Sequence, residues 1–199
     1  MKQIIAPLPR EKIYAELTPE KLLRKTNKGG NEIYIFNYHD SPALMHEIGR
    51  LREITFRDAG GGTGKETDID IYDTAEIPYK QLIVWDPDAR EILGGYRYLH
   101  CGEAPRDENG DVVLATSRLF HFSEEFCTDY LPYTLELGRS FVQPSYQSSK
   151  AGAKALFALD NLWDGLGALT VDHPEIKYFF GKITMYMHFH QEARNLIQY

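Results

Sequence analysis

The hydrophobic and polar positions of this chain change period several times. Glu32 to Tyr38 (EIYIFNY), Gln81 to Trp85 (QLIVW), Ile92 to Leu99 (ILGGYRYL), Tyr133 to Val142 and Tyr178 to Tyr186 (YFFGKITMY) are short runs rich in branched and aromatic residues, which predicts strands. Between them apolar residues recur at helical spacing. Leu44, Ile48 and Leu51, with Met45 and Thr55 beside them, predict a helix opened by Ser41-Pro42 and ending near Asp58. Ala155, Leu156, Leu159, Leu162 and Trp163 predict a second helix, and residues 187–199 read as a third. Thr18-Pro19-Glu20 has the form of a helix start, and that short helix should stop near Gly29-Gly30. Residues 1–17, with Pro7 and Pro9, read as an extended arm. Asp86-Pro87-Asp88 joins two of the strands as a hairpin, and Gly94-Gly95 predicts a bulge or a close backbone approach. Residues 101–111 read as loop, 112–122 as a short strand or irregular segment, and 123–130 as a helical start.

The order is strand, helix, hairpin, strand, helix, strand, helix. This predicts an α/β fold, a mixed sheet with helices packed on it. The expected division is an N-terminal arm and short helix over 1–30, then one domain over 31–199. Composition changes this picture little: 43% hydrophobic residues suffice for a packed core. The net charge of −7 argues against nucleic acid as the main partner. Cys101 and Cys127 read as free thiols in a reducing cytoplasm. No apolar run approaches a membrane span. Lys2 to Lys28 holds seven Lys and Arg against three Glu, so peripheral contact with an anionic membrane surface is open; a solvated arm is the plainer reading.

Several stretches carry candidate chemistry. Glu136 and Arg139 interrupt the strand at 133–142, where a buried charge needs a partner or a role. Pro144 ends that strand, and the small polar loop 147–152 opens a helix whose free N–H groups suit a phosphate, with Lys150 and Lys154 nearby. Gly60 to Lys65 (GGGTGK) looks like a phosphate loop. It has Glu66 where Ser or Thr should hold magnesium, so a lid or substrate loop is preferred. Asp68, Asp70 and Asp73 lack calcium-loop spacing; they read as a solvated acidic loop or an amine-binding site. His188 and His190, two apart on a helix, read as solvent-facing. The aromatic set Tyr178, Phe179, Phe180, Tyr186 and Trp163 reads as core, with an acyl-chain tunnel as the lesser reading. No metal is called for.

Five motifs come in order: Arg52 and Phe56 on the first long helix; Asp70, Tyr72 and Asp73; Gly94, Gly95 and Arg97; Glu136 and Arg139; and Leu-Trp-Asp-Gly-Leu at 162–166. Over about residues 45–186 the chain resembles the N-acyltransferase branch of the GNAT superfamily. It is most similar to the ornithine and glycine N-acyltransferases of bacterial aminolipid synthesis (the haemolysin-like type), and more distantly to acyl-homoserine-lactone synthases. The resemblance implies a GNAT-like mixed sheet with helices on both faces. The superfamily sheet continues past its fifth strand, so it also implies that this chain is a fragment lacking C-terminal strands. It implies a cytoplasmic enzyme, peripheral to the membrane, that moves a long acyl group onto a small amino acid such as glycine or ornithine. Glu136 and Arg139 would be catalytic, and Arg52, Phe56, Asp70, Asp73 and Arg97 would bind substrate.

The donor would be held by Phe141, Val142, Gln147, Lys150, Gly152 and Ala153. The usual acetyltransferase loop pattern is absent, since four residues separate Gln147 from Gly152-Ala153. Acyl carrier protein, through its phosphopantetheine thioester, is therefore the expected donor, with acyl-CoA second. A carboxylate such as Glu136 can orient an ammonium and take its proton, and backbone N–H groups near Phe141 and Val142 could polarise the thioester carbonyl. Arg97 and Arg139 could pair with Asp70, Asp73 and Glu136 or bind a substrate carboxylate. Tyr146 is a candidate acid for the leaving thiolate, against simple packing. Competing readings are an acetyl-CoA-dependent small-molecule acetyltransferase, a non-catalytic acyl-binding module, and a structural ion-pair network on the sheet.

Overall fold

The computed structural model of the chain describes residues 1–147, 152–187 and 189–199. In chain order its elements are α1 (Arg10–Glu16), β1 (Leu22–Lys25), β2 (Glu32–Phe36), α2 (Pro42–Asp58), β3 (Lys80–Asp86), β4 (Glu91–His100), β5 (Thr134–Val142), α3 (Ala153–Asp172), β6 (Tyr178–Phe180) and α4 (Gln191–Gln198). The six strands form one sheet in sequence order. The first five run antiparallel to their neighbours, and β6 lies parallel to β5. A parallel neighbour needs a crossover, which α3 supplies.

Strand alternation sorts the core onto two faces. Leu82 and Val84 of β3, with Ile33, Leu93 and Leu135, pack under Ala158, Leu162, Leu166 and Leu169 of α3. Ile83 and Trp85, with Phe36, Ile92 and Phe141, pack under Leu44, Ile48 and Leu51 of α2. Gly165 lets α3 settle on the sheet, because a Cβ there would lie 2.9 Å from Leu82. The expected stripe of α3 is corrected here. Leu159 and Trp163, one residue round from Ala158 and Leu162, are 51% and 59% exposed.

The N-terminal region differs from expectation. Residues 10–16 form a helix rather than an extended arm, with Pro9 at the N-cap position and Ile13 buried against α2. Both Glu16 carboxylate oxygens accept N–H groups of the first turn of α2, from Ala43 at 3.0 Å and Leu44 at 2.7 Å. A carboxylate there is doubly favourable, because it accepts from orphan N–H donors and faces the positive end of the helix. Thr18-Pro19-Glu20 opens a single 3₁₀ turn, after which the chain becomes β1. Gly29 and Gly30, expected as a helix stop, instead turn β1 into β2 with positive φ angles of 81° and 66°. β1 is thus an edge strand of the same sheet.

At the other edge, the strand expected over 178–186 is only three residues long. Its pairing with β5 runs from Thr134–Tyr178 to Glu136–Phe180 and ends. β5 continues to Val142 without that neighbour, so the two strands part beyond Leu137. The helix expected over 187–199 begins at Gln191. Among the described residues no helix is long and apolar enough to cross a membrane.

Candidate active site

The site lies on the α2 face of the sheet, where Arg52 of α2 reaches it. Gln81, Arg97 and Glu136 point to this face because their neighbours Leu82, Tyr98 and Leu135 point to the other. Regular alternation would put Arg139 opposite Glu136, since three positions separate them. A bulge prevents this. β4 pairs Arg97 with Gly138 and Gly95 with Phe141, so two residues of β5, Arg139 and Ser140, face one of β4. Arg139 takes φ +50°, a conformation that costs a side-chain-bearing residue of order 1–3 kcal/mol. The phase change also brings Phe141 back to the α2 face, five residues after Glu136. Gly94 permits the close pairing, because a Cβ on it would lie 2.4 Å from the Phe141 carbonyl oxygen.

Three arginines and three aspartates then meet. Arg52, 1% exposed, reaches Asp68 at 3.3 Å and Asp73 at 3.0 Å, and donates to Gln81 at 3.4 Å. Arg97 donates to Asp70 at 2.8 Å, lies 3.3 Å from Asp73, and rests 5.0 Å from the centre of the Tyr79 ring. Arg139 stands 2.8 Å from Asp68 and 3.3 Å from Asp70. Burial alone would raise the pKa of Asp73, but Arg52 and Arg97 outweigh it and hold the carboxyl below its usual range. The acidic stretch is therefore not a solvated loop. Asp68 and Asp73 are buried, and the six charges balance.

Glu136, 2% exposed, is held differently. One carboxylate oxygen accepts the Thr116 N–H at 3.0 Å; the other accepts the Tyr79 hydroxyl and, at 3.3 Å, the Ala115 N–H. Among the described residues no cation touches it, so the expected pairing with Arg97 or Arg139 does not form. Burial, followed by the charge of Glu136, pushes the Tyr79 hydroxyl far above its ordinary pKa, so it stays a donor. The same two causes push the nearby Cys101 thiol up to about 12.

Glu136, Asp70, Arg97 and Arg139 share a cavity of about 310 Å³ with Tyr79, Thr116, Arg118 and Lys182. Of the other expected substrate residues, Arg52 and Asp73 sit behind the wall, and Phe56 packs against the α2 core. At the donor end, Gln143 donates its N–H to Leu93 of β4, and the Gln147 side chain donates to the Val142 carbonyl. Alternation therefore turns the Val142 N–H away from β4, toward the side where β6 has parted. Phe141 is corrected on the same ground: its carbonyl lies over Gly94, so its N–H faces β4 and not the gap. Gly152 sits at the N-cap of α3 with φ +61°, and none of the described residues lies within 4 Å of where its Cβ would stand. Ala153 begins the α3 backbone. Lys150, His188 and the side chains of Ala153 and Lys154 lie outside the described residues; His190 is exposed.

Two more expectations change. Tyr146 donates its hydroxyl to Glu91 at 2.8 Å, and burial followed by Glu91 raises its pKa to about 12, which ties it away from the gap. The 60–65 loop, expected as a lid or substrate loop, is pinned rather than free to close as a lid. The buried Glu53 carboxylate accepts the N–H groups of Thr63 at 3.0 Å and Gly64 at 2.8 Å, and the Lys2 N–H binds the Gly64 carbonyl at 2.8 Å. Tyr79, Thr116 and Arg118 were not singled out from sequence. Their placement depends on loops remote from Glu136, and no local pattern signals it.

A family model described as an acetyltransferase (GNAT) domain matches residues 51–156, from the second half of α2 into α3. The chain belongs to the GNAT acetyltransferase domain family. Its mixed sheet, with α2 on one face and α3 on the other, is the fold expected of such a domain. Two curated relatives, from Phocaeicola vulgatus and Bacteroides thetaiotaomicron, are each called glycine N(alpha)-acyltransferase. They are 63% and 61% identical over all 199 residues of this chain. The chain spans 61% and 59% of their lengths, about three fifths. A solved integron cassette protein from the mobile metagenome of V. cholerae has a TM-score of 0.40 at 13% identity, covering 86% of this chain and 99% of its own; it carries no argument.

Proposed function

We propose that this chain carries the reaction site of an N-acyltransferase that moves a long-chain acyl group from a thioester to the amine of a small amino acid, glycine first. The observation that carries this reading is Glu136: a buried carboxylate on a cavity, held by three uncharged donors and no described cation. An anion so held presents its charge to an incoming ammonium and can take a proton from it, directly or through water. Asp70, Arg97 and Arg139 form the wall, with Arg52 and Asp73 bracing it from behind, while Phe56 packs on the α2 core beside Arg52.

The parting of β5 and β6 supports a cleft for the donor's pantetheine arm, and the Val142 N–H faces that side, where it would polarise the thioester carbonyl. Gln147, Lys150, Gly152 and Ala153 would border the arm and its phosphate. The donor is acyl carrier protein or acyl-CoA; GNAT membership favours a thioester of this class. Two relatives named for glycine N(alpha)-acylation support glycine as acceptor. An N-acylated amino acid with a long chain is an aminolipid, which fits a peripheral place at a cytoplasmic membrane face.

The test is product mass spectrometry. Full-length protein is given glycine with palmitoyl-CoA or with palmitoyl-acyl carrier protein. The reading predicts N-palmitoylglycine from at least one donor. Absence of any amide with either donor, across glycine, ornithine and serine, would contradict it.

A further inference from the structure

A free amino acid is a zwitterion, with its carboxylate two bonds from its amine. A cavity that meets the ammonium with Glu136 must therefore meet a carboxylate within a few ångströms, and a cation or a strong donor matches that group. The arginines of the sheet and α2 are already committed. Arg52, Arg97 and Arg139 face Asp68, Asp70 and Asp73, three against three. Two cations remain on the cavity lining, Arg118 and Lys182. The Lys182 ammonium donates to the Thr184 hydroxyl at 3.0 Å. No hydrogen bond or ion pair holds the exposed Arg118 guanidinium among the described residues.

The segment that holds Glu136 also places Arg118. Ala115 and Thr116 supply the two N–H groups on the carboxylate, and Arg118 follows two residues later. The turn between them is tied by Ser117 N–H to Leu114 carbonyl at 3.1 Å and Leu119 N–H to Thr116 carbonyl at 2.8 Å. The Ser117 hydroxyl accepts the Leu114 N–H at 2.9 Å and donates to Val112 at 2.7 Å. A second observation points to a ligand here. Three buried polar atoms on residues of this same cavity have no hydrogen-bond partner among the described residues: the Thr116 hydroxyl oxygen, the Arg97 Nε and the Arg139 Nε, the last held only as an ion pair with Asp68 at 2.8 Å. Buried polar atoms are paired as a rule, so unpaired ones gathered on one cavity point to a polar guest there.

We propose that Arg118 reads the α-carboxylate of the acceptor, and that with Glu136 and the Thr116 hydroxyl it completes a subsite for short α-amino acids. This rests on the acyl-transfer reading above. The planar guanidinium matches a carboxylate with two parallel hydrogen bonds, which an ammonium cannot reproduce. The site then selects for a free carboxylate beside the amine and against amines that lack one.

The experiment compares glycine with glycinamide as acceptors for full-length protein, using the same acyl donor and fitting kcat and KM for each. The expected result for Arg118→Met is a rise in the KM for glycine. The ratio of kcat/KM for glycine over glycinamide should fall about tenfold or more, the size of one lost charge-assisted pair. Arg118→Lys should restore part of the ratio. An unchanged ratio in Arg118→Met overturns the proposal. So does a collapse of the ratio in Lys182→Met but not in Arg118→Met. A wild-type protein that forms no amide with either acceptor sinks the acyl-transfer reading itself, and this inference with it.

Discussion

Asp73 and Glu136 are both carboxylates buried on the α2 face of the sheet, and different chemistry holds each of them. Asp73 meets two guanidiniums, from Arg52 and Arg97, with Gln81 beside them. Glu136 meets a phenol and two backbone N–H groups. The first environment cancels the charge; the second solvates it and leaves it uncancelled. Burying a charge is costly unless it is paired, so a neutral cluster is what a stable wall needs. A carboxylate held by neutral donors retains its field, which suits a group that must attract an ammonium.

The largest effect should come from breaking the cancelled cluster. Arg52→Met leaves Asp68 and Asp73 buried beside too little positive charge, and removal of one partner of such a network costs about 3–5 kcal/mol. Urea unfolding should show the loss as a lower midpoint. A variant as stable as wild type would mean that the cluster does not brace the wall.

The next effect is the dependence on acid. Asp73 has its folded-state pKa depressed, so its stabilisation is present above the unfolded value of about 3.9 and is lost as pH falls through the folded value. The unfolding midpoint of wild type should hold level near pH 6 to 5 and drop below about pH 4. Asp73→Asn, weaker throughout, should lose less over that acid range. Parallel curves for the two proteins would assign the acid loss to other groups.

The smallest effect is expected at Tyr146. Tyr146→Phe removes one half-exposed hydrogen bond to Glu91, worth roughly 0.5–1.5 kcal/mol. Turnover should stay as it was, because the hydroxyl points away from the gap between β5 and β6. A large fall in turnover would place Tyr146 at the reacting atoms after all.

Much of the sheet was legible because its signals are local. The alternation of β3, the Asp-Pro-Asp turn and the Ser-Pro opening of α2 each depend on a few adjacent residues. The errors arose where one local signal has two outcomes. Gly29-Gly30 can stop a helix or turn a hairpin, and pairing with β2 decided for the hairpin. β6 was overestimated because its composition continues past the point where β5 stops pairing with it. At the site, the sequence offered Glu136 and Arg139 but not their relation. Three positions apart, they belong to opposite faces of a regular strand, and only the bulge at Arg139 brings both to one cavity. The donors to Glu136 come from residues 57 and 20 positions away, a distance at which no periodicity speaks.

The central claim is that Glu136 works on the amine rather than on the fold, and Glu136→Gln tests it most directly. Its structure-based cost is modest: both oxygens of Glu136 are acceptors, so an amide nitrogen leaves one N–H or the phenol without one, worth about 1–3 kcal/mol. The measurement is single-turnover amide formation at saturating donor and glycine, at a temperature where unfolding curves show the variant fully folded. The account predicts a rate lower by about 10²–10⁴-fold, the usual size of a lost general base. A folded Glu136→Gln protein that forms N-acylglycine within a few-fold of wild type would contradict it.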